Sequence, residues 1–266
     1  MIKVLSLCYH DIYSENNKNE TGFNDVGSSL YKISESSFKS QIDGLIKADE
    51  LKIVLVDQIN KLNNKHKNIF LTFDDGGLSA YSKIFPILEN HGVKGHFFIV
   101  GNKVGQRHFV TAEHLREMRK YGHIIGTHSF SHPKNMAILS HQKIKDEWAK
   151  SIHIIRDILG EEINVGSIPN GFESSAVRDI ALSEGISYLF TSKPTLKIGV
   201  KNNSFIMGRY PIQVHHNSSY VRSLSKREFP TLIKHNTMWT LKSFLRTVGG
   251  KKYLSLRKIF LANKNK

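Results

Sequence analysis

Two groups of residues in this 266-residue chain carry side chains suited to hydrolytic chemistry. In the first, an apolar run over residues 69–73 leads directly into Asp74 and Asp75. Such a run predicts a buried strand whose end carries the two carboxylates into a cleft. In the second, His128 and His132 are four positions apart, which places two imidazoles on one side of a single turn. Taken singly, each group has a plain alternative, an acidic turn or a pair of capping histidines.

The combination of the two groups favours a metal site. Two histidines and one carboxylate, with coordination positions left open, are how catalytic zinc-type sites are built. The sequence therefore predicts a divalent metal cofactor, Zn²⁺ first, with Co²⁺, Ni²⁺ or Fe²⁺ as alternatives that the same ligands accept.

These motifs carry a family resemblance. Thr72-Phe73-Asp74-Asp75-Gly76 and His128-Ser129-Phe130-Ser131-His132-Pro133 resemble the first two motifs of the polysaccharide deacetylases, the NodB-homology carbohydrate esterases. The resemblance runs from the N-terminus to about residue 215. It implies that Asp74 is the general base, that Asp75, His128 and His132 bind the metal, and that the fold is a distorted (β/α) barrel of about seven parallel strands.

The family's catalytic acid is absent from its usual place near the C-terminus. Leu7-Cys8-Tyr9-His10, at the end of the first predicted strand, has the shape of the missing Leu-x-Leu-His motif. It resembles a subgroup in which this motif has moved to the N-terminus by circular permutation, and this implies that His10 is the general acid. The alternative is that His10 forms its hydrogen bonds with a neighbouring loop and has no catalytic role.

The third family motif, usually Arg-x-Pro-Tyr-Gly, is altered. The corresponding stretch is Ser167-Ile168-Pro169-Asn170-Gly171. Resemblance implies that the backbone N–H of Asn170 can still stabilise the oxyanion, whereas the arginine that orients the base is missing. Arg209 is a candidate replacement from another strand, with an ordinary surface or structural arginine as the alternative. His215 and His216 could approach the site, but adjacent histidines in a polar loop are usually solvated, and no role is assigned to them.

The order of the predicted elements favours an α/β fold. Strand and helix patterns alternate along residues 2–191, which indicates a parallel sheet. Ser34 and Thr111 are predicted helix N-caps. The polar segment over residues 14–29 predicts a mobile loop.

Composition bounds the environment and the partners. The only cysteine, Cys8, excludes an internal disulfide, and neither a signal peptide nor a membrane span is recognised. We therefore expect a cytoplasmic protein. The net charge of +15 favours an anionic partner, although a lysine-rich background explains it as well. No nucleic-acid-binding module is present, so nucleic acid is not expected.

The chain divides, by pattern, into a barrel over residues 1–220 and a basic amphipathic segment over residues 221–266. This segment predicts one or two helices, either packed on the barrel or lying on the anionic inner face of a membrane. The predicted function is a metal-dependent hydrolase that removes acetyl groups from an N-acetylated sugar of a polysaccharide or lipid-linked precursor. Hydrolysis of another non-peptide amide, or a non-catalytic carbohydrate- or membrane-binding relative, is the alternative. The sugar and the oligomeric state are left open.

Overall fold

The structure is a computed structural model that describes residues 2–14 and 17–241. The last part of the predicted basic segment, residues 242–266, lies outside the described residues. The strands are β1 Val4–Tyr9, β2 Ile12–Tyr13, β3 Ile33–Ser34, β4 Leu51–Ile53, β5 Lys67–Phe73, β6 His96–Ile99, β7 Ile124–Thr127, β8 Val165–Ser167, β9 Tyr188–Phe190, β10 Ile198–Lys201, β11 Ser204–Met207 and β12 Tyr210–Pro211. The α-helices are α1 Glu35–Ile46, α2 Phe85–Asn90, α3 Ala112–Lys120, α4 His141–Leu159, α5 Ser175–Ser183 and α6 Ser218–Ser225. Residues 229–241 are also helical.

The main sheet is a curled, mostly parallel layer in the order β10-β11-β9-β8-β7-β6-β5-β1-β12, with β4 also paired to β5. Only the β10–β11 pair in it is antiparallel. Strand β11 pairs with β9 and β12 pairs with β1, yet only Gly208 and Arg209 separate β11 from β12 along the chain. The two sides of the sheet must therefore meet at these residues, which confirms the predicted distorted barrel.

The helices begin where their caps predict. The Ser34 hydroxyl accepts the N–H of Ser37 at the start of α1, and the Thr111 hydroxyl accepts the N–H of His114 at the start of α3. Each bond satisfies one of the N–H groups that a first helical turn leaves free. Helix α6 runs across residues 220 and 221, and its Val221 is buried in the main apolar core. The packed part of the chain thus continues past residue 220.

The segment predicted as a mobile loop follows a defined path in its described part. The buried Lys32 ammonium donates to the carbonyl oxygens of Lys18 and Thr21, at 2.9 and 2.6 Å, and to the Asn24 side chain at 2.7 Å. A buried cation must find such acceptors because it has lost its hydration shell. None of the described helices has both the length and the apolar character needed to cross a bilayer.

Candidate active site

The period of the strands decides which side chains enter the barrel. Seven residues from different strands form one apolar cluster inside the sheet: Val4, Phe70, Phe98, Ile124, Val165, Phe190 and Met207. Because successive side chains in a strand alternate between faces, the residues two, four or six positions further along lie on the same side. Those residues include His10, Asp74, His128, Ser167 and Arg209. The same alternation that builds the core therefore delivers polar groups to one end of the barrel.

The ends of β5 and β7 bring a possible metal-ligand set together. One ligand atom each from Asp75, His128 and His132 lies within 4.8 Å of the other two. The Asp75 Oδ1 oxygen is 3.5 Å from His128 Nε2 and 3.4 Å from His132 Nε2. Asp75 Oδ1 is buried and has no hydrogen-bond partner among the residues that the structure describes. A buried oxygen without a partner, facing two imidazole nitrogens, is the arrangement that a shared cation would complete.

The protonation of the cluster also fits a cation. His128 Nδ1 lies 2.9 Å from the Ser167 carbonyl oxygen, so this nitrogen must be the donor, and Nε2 keeps its lone pair for the ion. Burial lowers the pKa of His128 to about 3 and that of His132 to about 4. Both rings are therefore neutral, as ligation requires. Burial, reinforced by the Asp74 charge and opposed by His10, raises the pKa of Asp75 to about 7, and a bound cation would favour its ionised form.

The backbone around the ligands is strained. Asp75 has φ 76°, Ser129 has φ 66° and His132 has φ 54°, all in the left-handed region that non-glycine residues rarely adopt. The His132 N–H donates to the Ser129 hydroxyl at 3.1 Å. Glu147, on α4, accepts hydrogen bonds from the Ser131 N–H and hydroxyl at 2.8 and 2.6 Å. These contacts hold the loop of residues 128–132 in its unusual conformation. Backbone strain of this kind is typical of functional sites.

Asp74 lies beside the cluster in a buried ion pair. Arg209 Nη1 is 2.6 Å from Asp74 Oδ1, and Arg209 Nη2 is 2.8 Å from Asp74 Oδ2. The Arg209 side chain also donates to the Ser167 hydroxyl at 2.6 Å and to the Thr191 carbonyl oxygen at 3.2 Å. Burial opposes ionisation, but the Arg209 charge, reinforced by the hydrogen bonds that Arg209 donates, outweighs it and holds the pKa of the Asp74 carboxyl well below its ordinary value.

Comparisons with known proteins agree with this geometry. Residues 61–189 match the family model described as polysaccharide deacetylase. This stretch of the chain is a polysaccharide deacetylase domain. Among curated relatives, peptidoglycan-N-acetylmuramic acid deacetylase PdaA of Bacillus subtilis is 36% identical over 106 residues, 39% of this chain and 38% of that protein. The putative polysaccharide deacetylase YxkH of the same organism is 27% identical over 128 residues, 48% of this chain and 46% of that protein. The aligned part thus spans less than half the length of these relatives.

Solved structures share the fold along most of the chain. Deacetylase PplD of Streptococcus pyogenes superposes with a TM-score of 0.69 at 18% identity, covering 82% of this chain and 96% of that one. IcaB from Ammonifex degensii gives 0.68 at 19% identity, covering 85% and 98%. At such identities the likeness shows the fold alone, which is the deacetylase barrel expected from the motifs.

An arginine from a different strand lies where the third motif lacks one. Ser167 occupies the motif position of that arginine, and its hydroxyl lies 3.5 Å from Asp74 Oδ2. Arg209, which follows β11, contacts both Ser167 and Asp74. The sequence left a surface or structural arginine as the alternative, and the structure places the side chain, 1% exposed, against Asp74, which excludes a surface position. Its position two residues after the interior residue Met207 is the signal that could have found it.

His10 lies at the same end of the barrel. One ligand-type atom each of His10, Cys8 and Asp74 lie within 4.8 Å of one another, and the His10 ring packs on Tyr31 with centroids 4.6 Å apart. His10 Nδ1 is buried, and within residues 2–14 and 17–241 it has no hydrogen-bond partner. Burial raises the pKa of the Cys8 thiol well above its ordinary value, so Cys8 is a packed thiol that donates weakly to Asp74 Oδ2 at 3.6 Å.

Asn170 lies next to the loop that carries His128 and His132, whereas His216 packs against helix α6. Asn170 has φ 57°, and its side-chain amide donates to the Pro133 carbonyl oxygen at 3.2 Å, which ties it to the residue after His132. His216 stacks on Tyr220 of α6 with centroids 3.9 Å apart. Neither His215 nor His216 belongs to a ligand group found among the described residues.

Proposed function

We propose that this chain is a metal-dependent hydrolase that removes the acetyl group from an N-acetylated sugar of a glycan or glycan precursor. The observation that carries the proposal is the Asp75, His128 and His132 cluster, with the unpartnered Asp75 oxygen between two neutral imidazoles, beside the ionised Asp74. The names of the family's characterised relatives point to amide-linked acetyl groups on sugars.

A divalent ion held by Asp75, His128 and His132, zinc being the first choice, would polarise the acetyl carbonyl and acidify a water molecule. Asp74 is assigned as the general base, because it stays ionised and is aimed by two hydrogen bonds from Arg209. These bonds fix the carboxylate in one orientation, so that proton transfer needs no reorganisation.

Two other residues are assigned to protonating the leaving amine and to stabilising the oxyanion. His10 gives a proton to the nitrogen of the leaving amine, which would otherwise depart as an unstable anion. The backbone N–H of Asn170 is assigned to the developing oxyanion, where a preorganised donor stabilises the transition state more than the ground state.

The test is acetate release from N-acetylated sugars presented free, nucleotide-linked and lipid-linked, with and without a chelator. We expect release from one class, loss of that release with chelator, and recovery on adding Zn²⁺ or Co²⁺. Release that is indifferent to the chelator would contradict the metal assignment. If no sugar is hydrolysed while a simple N-acetyl amide is, the chain is an amide hydrolase of another class. Stoichiometric metal with no hydrolysis of either would favour the non-catalytic relative.

A second proposal concerns the basic C-terminal segment, which we assign to an anionic membrane surface. In the helical residues 229–241, Phe229 is 74% exposed and Leu241 is 53% exposed. The following 25 residues, 242–266, carry eight Lys or Arg residues and no Asp or Glu. Apolar side chains beside positive charge are the features of helices that bind at membrane surfaces. The full chain is expected to co-sediment with phosphatidylglycerol vesicles and to be released by salt, and equal binding to phosphatidylcholine vesicles would refute this.

A further inference from the structure

One segment next to the active site carries two aromatic rings that the proposed chemistry does not use. This wall segment, residues 17–32, follows β2 and ends immediately before β3. Within it, the Phe23 ring stacks on the ring of His132 with centroids 4.9 Å apart and 29° between the planes. The Tyr31 ring lies 4.6 Å from the ring of His10 at 30°. The two rings therefore stand beside two different members of the site, one of the assigned ligands and the assigned acid.

The wall segment is fixed by buried polar contacts at its base. Asp11, 3% exposed, accepts hydrogen bonds from the hydroxyls of Thr21 and Ser79, at 2.6 and 2.8 Å. Gly22 leaves no room for a side chain, because a Cβ there would lie 1.9 Å from Asp11 Oδ2. The Gly22 N–H also donates to the His108 carbonyl oxygen at 2.8 Å. Together with the Lys32 contacts described above, these bonds order the segment when the chain folds. Binding of a ligand therefore requires no further loss of conformational entropy from it.

Both rings remain partly accessible to a ligand. Phe23 and Tyr31 are half-buried, in contrast to the buried Asp11, Thr21 and Lys32 that hold the segment in place. Phe23 also packs edge-on against Phe109, with centroids 5.2 Å apart. Lys103 Nζ lies over the Phe23 ring, 6.0 Å from its centroid. A half-buried aromatic ring with a cation beside it offers an apolar surface with a polar edge, such as ligand sites commonly use.

We infer that Phe23 and Tyr31 are specificity-determining residues that select a closed pyranose ring on the substrate. The inference rests on the proposed function, since it assigns these rings to the sugar whose acetyl group reaches Asp75, His128 and His132. A pyranose presents a flat face of C–H groups that fits an aromatic ring, whereas the same sugar opened to a flexible alditol has no such face. Because the wall segment is already ordered, it favours the closed ring without losing further conformational freedom on binding.

The experiment measures binding rather than turnover, so its failure is separate from failure of the deacetylase proposal. The Zn²⁺-loaded full chain is titrated with methyl N-acetyl-β-glucosaminide and with N-acetylglucosaminitol, its ring-opened counterpart, by ligand-observed NMR. We expect the wild-type chain to bind the closed ring more tightly, by about fivefold for one aromatic contact. Phe23→Ala and Tyr31→Ala should each reduce that preference, while Tyr31→Phe should keep it.

Tyr121→Ala is the matched control, because Tyr121 is a 48% exposed aromatic residue that precedes β7, at the opposite end of the strand from His128. It should leave the preference unchanged. Metal content and melting temperature of each variant show whether the fold is intact. The inference is overturned if wild type binds both probes equally or binds neither. It is also overturned if intact Phe23→Ala and Tyr31→Ala proteins keep the full preference.

Discussion

Replacing Arg209 by Met tests whether this arginine, supplied from outside the third motif, controls the base. Arg209 is 1% exposed and forms a two-bond pair with Asp74 at 2.6 and 2.8 Å. Removing one partner of a buried ion pair costs about 3–5 kcal/mol if the other stays charged. The less costly outcome is that Asp74 binds a proton, because burial then acts on its pKa without the arginine charge.

The sign of the effect follows from the direction of the pKa shift. In the wild type the pKa of Asp74 lies below its unfolded value, so the pair contributes stability above that unfolded value and loses it as pH falls through the folded pKa. In Arg209→Met the desolvation of Asp74 remains and the compensating charge is gone. We expect kcat near neutral pH to fall by about 10²-fold or more, the range that general-base catalysis supplies. The acidic limb of the pH–rate profile should move to higher pH.

The assay is acetate release against pH, with metal content measured on the same samples. A double variant, Ser167→Arg with Arg209→Ser, moves the guanidinium to the position that the family motif normally uses. It should regain part of the lost activity, since Ser167 already lies within 3.5 Å of Asp74. Arg119→Met is the control, because Arg119 pairs with Glu161 at the surface. Wild-type kcat and an unmoved acidic limb in Arg209→Met would refute the reasoning.

Three further predictions concern the base and the fold. Asp74→Asn should abolish acetate release but retain bound metal by elemental analysis, and retained activity would contradict the base assignment. Gly22→Ala should lower the melting temperature far more than Gly92→Ala, since both glycines have positive φ but only Gly22 has a neighbour, Asp11, in the place of a Cβ; equal losses would show that strain alone matters. Burial lowers the pKa of His96 to about 4, so stability should be lost as pH falls from about 6.5 towards 4, by up to about 3 kcal/mol. Urea unfolding of His96→Gln should show a shallower pH dependence over that range, and an unchanged slope would exclude this histidine as its source.

The residue pattern was sufficient to group the three candidate metal ligands because their arrangement is largely local. Asp75 is the second residue after an apolar strand, and His128 and His132 share one loop at the end of another. Parallel strands bring their carboxyl ends to the same edge, so strand ends that are distant in sequence lie near each other once the parallel sheet is recognised. The N-caps Ser34 and Thr111 were predictable for the same reason, since each acts within three residues of itself.

Only the tertiary structure revealed that Arg209 pairs with Asp74, the proposed base, and how the wall segment runs. Arg209 lies 135 residues from Asp74 along the chain. The two side chains come together because the sheet curls, so that β11 on one side and β12 on the other are joined by only two residues. The polar composition of residues 14–29 predicted mobility, because polarity by itself does not reveal that a buried lysine will hold the segment. Local periodicity fixes which face a side chain takes, but pairing between distant strands is set by how the whole sheet closes. For this chain the grouping of Asp75, His128 and His132 could therefore be predicted from the sequence, whereas the pairing of Arg209 with Asp74 became visible only in the tertiary structure.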